Sequence, residues 1–70
     1  MKVSFDTIWR IEEDGTLTNK VKIRTAGVSA EPEALKGYTG VFGAVNWELF
    51  KGRDIDIAID GDTWVLLGIY

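Results

Sequence analysis

Residues 53–70 read RDIDIAIDGDTWVLLGIY, and the parsing of this stretch decides the fold. Ile55, Ile57 and Ile59 alternate with Asp54, Asp56 and Ala58, the period of two that marks a strand with one apolar and one acidic face. Asp60-Gly61 is a strong signal for a tight hairpin turn. Thr63 to Tyr70 then offers no polar face. Plain alternation points Trp64 and Leu66 one way and Val65, Leu67 and Ile69 the other. A strand apolar on both sides belongs in the middle of a sheet or in an interface. The stretch therefore predicts a hairpin that supplies much of the core.

The rest of the chain has little else to lean on. Its 70 residues predict one domain over 1–70, and a domain of that size buries only about 60% of the surface its unfolded chain exposes. There is no cysteine and no histidine, which removes disulfides, thiolate metal sites, the commonest metal ligand and the commonest general base. Hydrophobic residues make up 46%, with three Trp, three Phe and two Tyr, and oligomerisation is one way to hide such a load. A net charge of −3 argues against a duplex-DNA or anionic-membrane partner. The longest uncharged run, Gly37 to Trp47, contains three glycines and is too short to span a bilayer. Asp6 and Arg10 interrupt the first apolar segment, so it does not read as a signal peptide. The default address is cytoplasmic.

At the N-terminus Val3, Phe5, Thr7, Trp9 and Ile11 alternate with Ser4, Asp6, Ile8, Arg10 and Glu12. A second alternation runs Leu17, Asn19, Val21, Ile23, Thr25. A two-residue turn at Asp14-Gly15 would set Phe5 beside Arg24 and Trp9 beside Lys20. A three-residue loop, Glu13-Asp14-Gly15 with Gly15 left-handed, instead pairs Glu12 with Thr16 and faces Ile11 with Leu17, Thr7 with Val21 and Phe5 with Ile23. That register keeps the apolar set together, and puts Asp6 opposite Lys22 and Ser4 opposite Arg24. Ala26 to Gly37 reads as loop with one turn at Glu33–Lys36. Val41, Gly43 and Val45 suggest a glycine-bent third strand. Asn46, an N-cap residue, opens a helical turn Trp47–Lys51 closed by Gly52. The fold class expected is all-β, or β-rich α+β: a small five-stranded SH3-like or OB-like barrel, or a curled antiparallel sheet, with one short helical turn. Closure would protect edges that this apolar chain could not otherwise cover.

Few residues suggest chemistry. Asp54, Asp56, Asp60 and Asp62 evoke a calcium loop, but an EF-hand begun at Asp54 needs an oxygen ligand at Ala58 and glycine at Ile59. Begun at Asp60, it needs a ligand at Trp64. The cluster reduces to turn residues and a solvated face, so no metal and no cofactor is expected. Glu12 and Glu13 sit at a hairpin tip where water keeps them ordinary acids. Gly37, Gly40 and Gly43 match no phosphate loop. The chain is not expected to be an enzyme.

Three binding readings remain. The first is a non-enzymatic binding or assembly module, pairing with a protein partner or a second copy through its apolar C-terminal strand. Tyr38, Trp47, Phe50, Trp64 and Tyr70 are its candidate contacts, since so many aromatics exceed what one small core needs. The alternative is a single-stranded nucleic-acid surface on the basic stripe Lys20, Lys22 and Arg24. A weaker third is a carbohydrate or peptide site on Trp47 and Tyr38. Which of Trp47, Trp64 and Tyr70 face solvent separates core from recognition.

Overall fold

A computed structural model describes residues 1–35 and 40–70. In chain order the elements are β1 (Lys2–Ser4), one helical turn α1 (Phe5–Ile8), β2 (Trp9–Ile11), β3 (Leu17–Asn19), β4 (Ile23–Thr25), β5 (Val28–Ala30), β6 (Val41–Phe42), β7 (Val45–Asn46), a 3-10 turn (Trp47–Phe50), β8 (Asp54–Asp60) and β9 (Thr63–Ile69). The strand-rich class and the short helical turn are as expected. The architecture is a five-stranded sheet ordered β1-β8-β9-β4-β5, with β2-β3 and β6-β7 as separate two-stranded ribbons. Among the described residues β1 and β5 are edges, and no barrel closes. Nor is the sheet wholly antiparallel: β4 runs parallel to β9, with Ile23 beside Trp64.

The C-terminal hairpin turns at the expected place, with Asp60 opposite Thr63. Lying between β8 and β4, β9 is a central strand, a position that pairs both its edges and leaves the apolar character of its outward side unexplained. The alternation is broken, however. Ile57 faces Leu66 but Asp56 faces Gly68, so Leu67 is an extra residue in a β-bulge. The bulge carries Ile69 over to the side of Trp64 and Leu66, opposite Ile55, where it packs against the core. Simple alternation had placed Ile69 with Val65 and Leu67.

Near its tip the N-terminal hairpin has the expected register. Glu12 N–H donates to Thr16 O at 2.8 Å, Ile11 faces Leu17, and Gly15 takes φ 87°. Farther out the ladder stops, because Phe5–Ile8 coils into α1. Phe5, Ile8 and Trp9 are all buried, the i, i+3, i+4 spacing of a helical face that an alternating reading splits between two sides. Thr7–Val21 and Phe5–Ile23 are therefore not strand partners. Ser4 stands opposite Asp54 rather than Arg24, and Lys22 approaches Glu31 and Asp62 rather than Asp6.

Two hairpins depart from expectation. Residues 26–30 were read as loop, yet β4 and β5 pair through a turn at Ala26-Gly27 with φ of 51° and 79°. Both are left-handed, as a type I′ turn requires, and alanine is a poor advertisement for it. Residues 41–46 are not one bent strand but two, β6 and β7, folded at Gly43-Ala44 with φ of 61° and 63°. A Cβ at Gly43 would run into Thr25 Cγ2 and lie 3.3 Å from Thr25 O. Gly43→Ala is accordingly expected to cost about 1–3 kcal/mol, read as a lowered melting temperature. Gly52→Ala, also at positive φ but in open space, should cost less; equal losses would show that crowding at Gly43 does not matter.

The segment after β5 is fixed by a β-turn, with Pro32 at its second position and Glu33 at φ 63°, closed by Ala34 N–H to Glu31 O at 3.0 Å. In place of the expected helical turn at 33–36 there is a β-turn at 31–34, two residues earlier; Lys36 and Gly37 lie outside the described residues. Asn19, fully buried, ties this segment down. Its Nδ2 donates to Val21 O and Glu31 O at 3.0 and 2.8 Å, its Oδ1 accepts from Leu35 N–H, and its carbonyl accepts from Glu33 N–H.

Both ribbons, α1 and the 3-10 turn gather on one side of the sheet. Ile23, Ile55, Ile57 and Leu66 meet Phe5, Ile8, Trp9, Leu17, Phe42 and Trp47 in a single core. Ring centroids step from Phe5 to Trp9 to Trp47 to Phe50 at 6.5, 6.1 and 6.1 Å, within the range of favourable aromatic contact. The opposite side of the sheet has no such cover among the described residues.

Candidate functional site

Strand parity assigns that uncovered face. With Ile55 and Ile57 turned inward, β8 sends Asp54, Asp56, Ala58 and Asp60 outward. β9 contributes Val65, Gly68 and the bulged Leu67, β4 contributes Arg24, β5 Ser29 and β1 Lys2. Leu67 is 59% exposed and Tyr70 53%, which marks the strip along β9 as an apolar seam. The Lys2 ammonium stands 5.1 Å from the Tyr70 ring centre, a cation–π distance, and the Arg53 guanidinium holds the Tyr70 carbonyl.

Charged rows flank the seam. Asp54 pairs with Lys2 at 3.5 Å, Asp56 with the Met1 amino group at 3.1 Å, and Asp60 with Arg24 at 2.8 Å. These are exposed pairs, each worth about 0–1 kcal/mol. They matter more for the sign each strand presents: acidic along β8, basic on β4 and β1.

The aromatic candidates separate. Trp47 is core, 2% exposed, with Nε1 donating to Phe42 O at 3.0 Å. Phe50 and Trp64 are half-buried against that core. Tyr70 alone of the described candidates reaches the open face; Tyr38 lies outside the described residues. Among the described residues, the structure therefore does not bring the aromatic candidates together on one surface. Missed in the sequence was Leu67, whose exposure follows from the bulge, and no residue-level signal announces a bulge between Leu66 and Gly68 beyond the glycine itself.

Lys20, Lys22 and Arg24 do not form a free basic stripe. The Lys20 ammonium donates to Asp6 O at 2.7 Å, Lys22 lies 3.5 Å from Glu31 and 3.8 Å from Asp62, and Arg24 is held by Asp60. Among the described residues no group of three or more Asp or Glu is placed to hold a metal ion, and no helix is long and apolar enough to cross a membrane.

A shallow depression at the β2–β3 tip is lined by Glu12, Glu13, Asp14 and Thr16. Its Asp14 carboxylate accepts from both the Thr16 hydroxyl (2.6 Å) and the Thr16 N–H (3.0 Å), and these bonds lower its pKa below the ordinary 3.8. A depressed folded pKa means that the loop gains stability above pH 3.8 and loses it as pH falls through the folded value. In an NMR titration, Asp14 should titrate below the ordinary 3.8, and Thr16→Val, which removes the larger cause and keeps the N–H bond, should move it back up. The arrangement is turn chemistry, with no cleft in which a substrate could be desolvated.

Comparison with protein-family models, with curated proteins and with solved structures gave no match.

Proposed function

We propose that this chain is a non-enzymatic binding or assembly module that associates through the outward side of its apolar C-terminal strand. The supporting observation is the exposed apolar pair Leu67 and Tyr70, with half-buried Val65 beside them, on a sheet face that no described element covers. An apolar strip rimmed by charge is the usual composition of an association surface. The reading does not need an SH3-like or OB-like barrel, since an open sheet offers the face directly. Leu67→Asp tests it: Leu67 is mostly exposed, so the fold should survive with stability changed by about 0.5 kcal/mol or less, while concentration-dependent association seen by sedimentation is lost. Association unchanged in Leu67→Asp would move the surface elsewhere. A single-strand nucleic-acid surface on Lys20, Lys22 and Arg24 has less support, because each cation already has an acceptor. It predicts binding that weakens steeply with salt, and no mobility shift at low salt would dispose of it.

A further inference from the structure

The outward face has an order of charge across its strands that selects both an occupant and an orientation. Reading across the sheet, β1 carries Lys2, β8 carries Asp54, Asp56 and Asp60, β9 is uncharged, and β4 carries Arg24 with Lys22 immediately before it. β9 thus lies between an acidic row and a basic row, one strand to either side, and the rows meet over it at one point, where Arg24 reaches Asp60 past Val65 at 2.8 Å. Such a pattern is self-complementary. A half-turn about an axis parallel to β9, lying in the plane of contact, sets β9 on β9 and exchanges left for right. The acidic row of each copy then meets the basic row of the other. A half-turn about the perpendicular in-plane axis would instead set β8 on β8 and β4 on β4, opposing like charges twice.

We propose that the occupant of this face is a second copy of the chain, stacked face to face with β9 running parallel to β9 of the second copy. Val65 and Leu67 meet their equivalents, and Arg24 and Lys22 of each copy face the Asp56–Asp60 row of the other. This rests on the assembly reading above and specifies its partner. The heights agree. Arg24 is level with Val65 and hence with Ala58, between the outward Asp56 and Asp60, and Lys22 precedes it by two residues toward the Asp60 end. The Arg24–Asp60 pair of each copy spans β9 over Val65, so on stacking Arg24 exchanges its own Asp60 for that of the other copy and the number of ion pairs is conserved. Stacked sheets tolerate a rotation of about 30° between strand directions, which keeps each row over its opposite.

Size sets the strength. Five strands about 4.8 Å apart and seven residues rising about 3.3 Å each give a face of roughly 20 by 23 Å. That is smaller than the about 800 Å² each partner gives to a standard interface. The dimer is therefore weak, and its charged rows make it weaker as salt rises.

Charge exchange tests the geometry. One variant reverses the basic row (Lys22→Glu, Arg24→Glu), a second reverses the acidic row (Asp56→Lys, Asp60→Lys), and a third combines all four. Sedimentation equilibrium from about ten micromolar to about one millimolar should show wild type dimerising and either two-residue variant remaining monomeric at its highest concentration. An equimolar mixture of the two should regain a dimer, and so should the fourfold variant, whose internal Arg24–Asp60 pairing is restored with reversed sign. Circular dichroism confirms that each is folded, and the fourfold variant carries the test if a two-residue variant is not. A wild type that stays monomeric throughout overturns the proposal. Association that Leu67→Asp abolishes but neither charge reversal alters also overturns it, while leaving the assembly reading standing.

Discussion

Trp9→Ala is expected to lose about 3–5 kcal/mol, a large fraction of the whole stability. A domain of this length has about 4–10 kcal/mol in total. Trp9 is 1% exposed and stands between Phe5 and Trp47 in the aromatic series at the centre of the core. Removing it leaves a void between the α1 turn and the 3-10 turn, two elements too short to hold shape by themselves. Melting should fall by tens of degrees, given about 4–8 °C per kcal/mol for domains of this size. Trp9→Phe separates packing from polarity. The indole Nε1 is buried without a hydrogen-bond partner, so phenylalanine orphans nothing and should cost only about 1–2 kcal/mol. Comparable losses from the two substitutions, measured by urea titration, would mean that the ring nitrogen contributes after all.

Asn19→Ala is expected to cost about 3 kcal/mol. Three partners, Val21 O, Glu31 O and Leu35 N–H, lose their bonds to its side chain, and an unsatisfied buried group costs about 1–3 kcal/mol. Some of the three can turn to water, which holds the total below the sum. Asn19→Asp keeps the acceptor for Leu35 but loses both donors and buries a charge. It should be at least as destabilising at neutral pH and recover partly on acidification, because burial raises its pKa and the protonated acid regains a donor. Hydrogen exchange would localise the damage: faster exchange at Glu33 and Leu35 in Asn19→Ala, with β8 and β9 less affected. Uniform acceleration would show that Asn19 supports the whole fold rather than this segment.

Much of the architecture was legible in residue pattern. Asp60-Gly61, the isoleucine alternation of β8 and the apolar run of β9 give the central hairpin. The choice between turn registers at residues 13–15 follows from where it sends Ile11 and Leu17. Less legible were features in which one residue alters parity. The bulge at Leu67 moves Ile69 inward, and α1 inserts one helical turn between two strand segments. Local spacing held a clue in the second case, since Phe5, Ile8 and Trp9 are apolar at helical intervals, but four residues of helix give a period of two nearly equal support. The turns at Ala26-Gly27 and Gly43-Ala44 were hidden because alanine at positive φ is held by surrounding structure, not by its own preference. For the candidate site, the seam could be inferred from a strand with no polar side. Which aromatics belonged to it could not, because Trp47 and Trp64 differ in exposure only through long-range packing.

The parallel pairing of β4 with β9 dictates when the molecule can exist. Ile23 meets Trp64 and Val3 meets Ile55, so the central strand of the sheet is also the last of its five in chain order. Residues 1–60 can form the β2–β3 and β4–β5 hairpins and pair β1 with β8, but without β9 nothing joins β1-β8 to β4-β5 in one sheet. Isolated hairpins are marginal in water, so the chain stays loose until residues 63–69 pair. Folding is then a single late closure over long loops, slow for so small a domain.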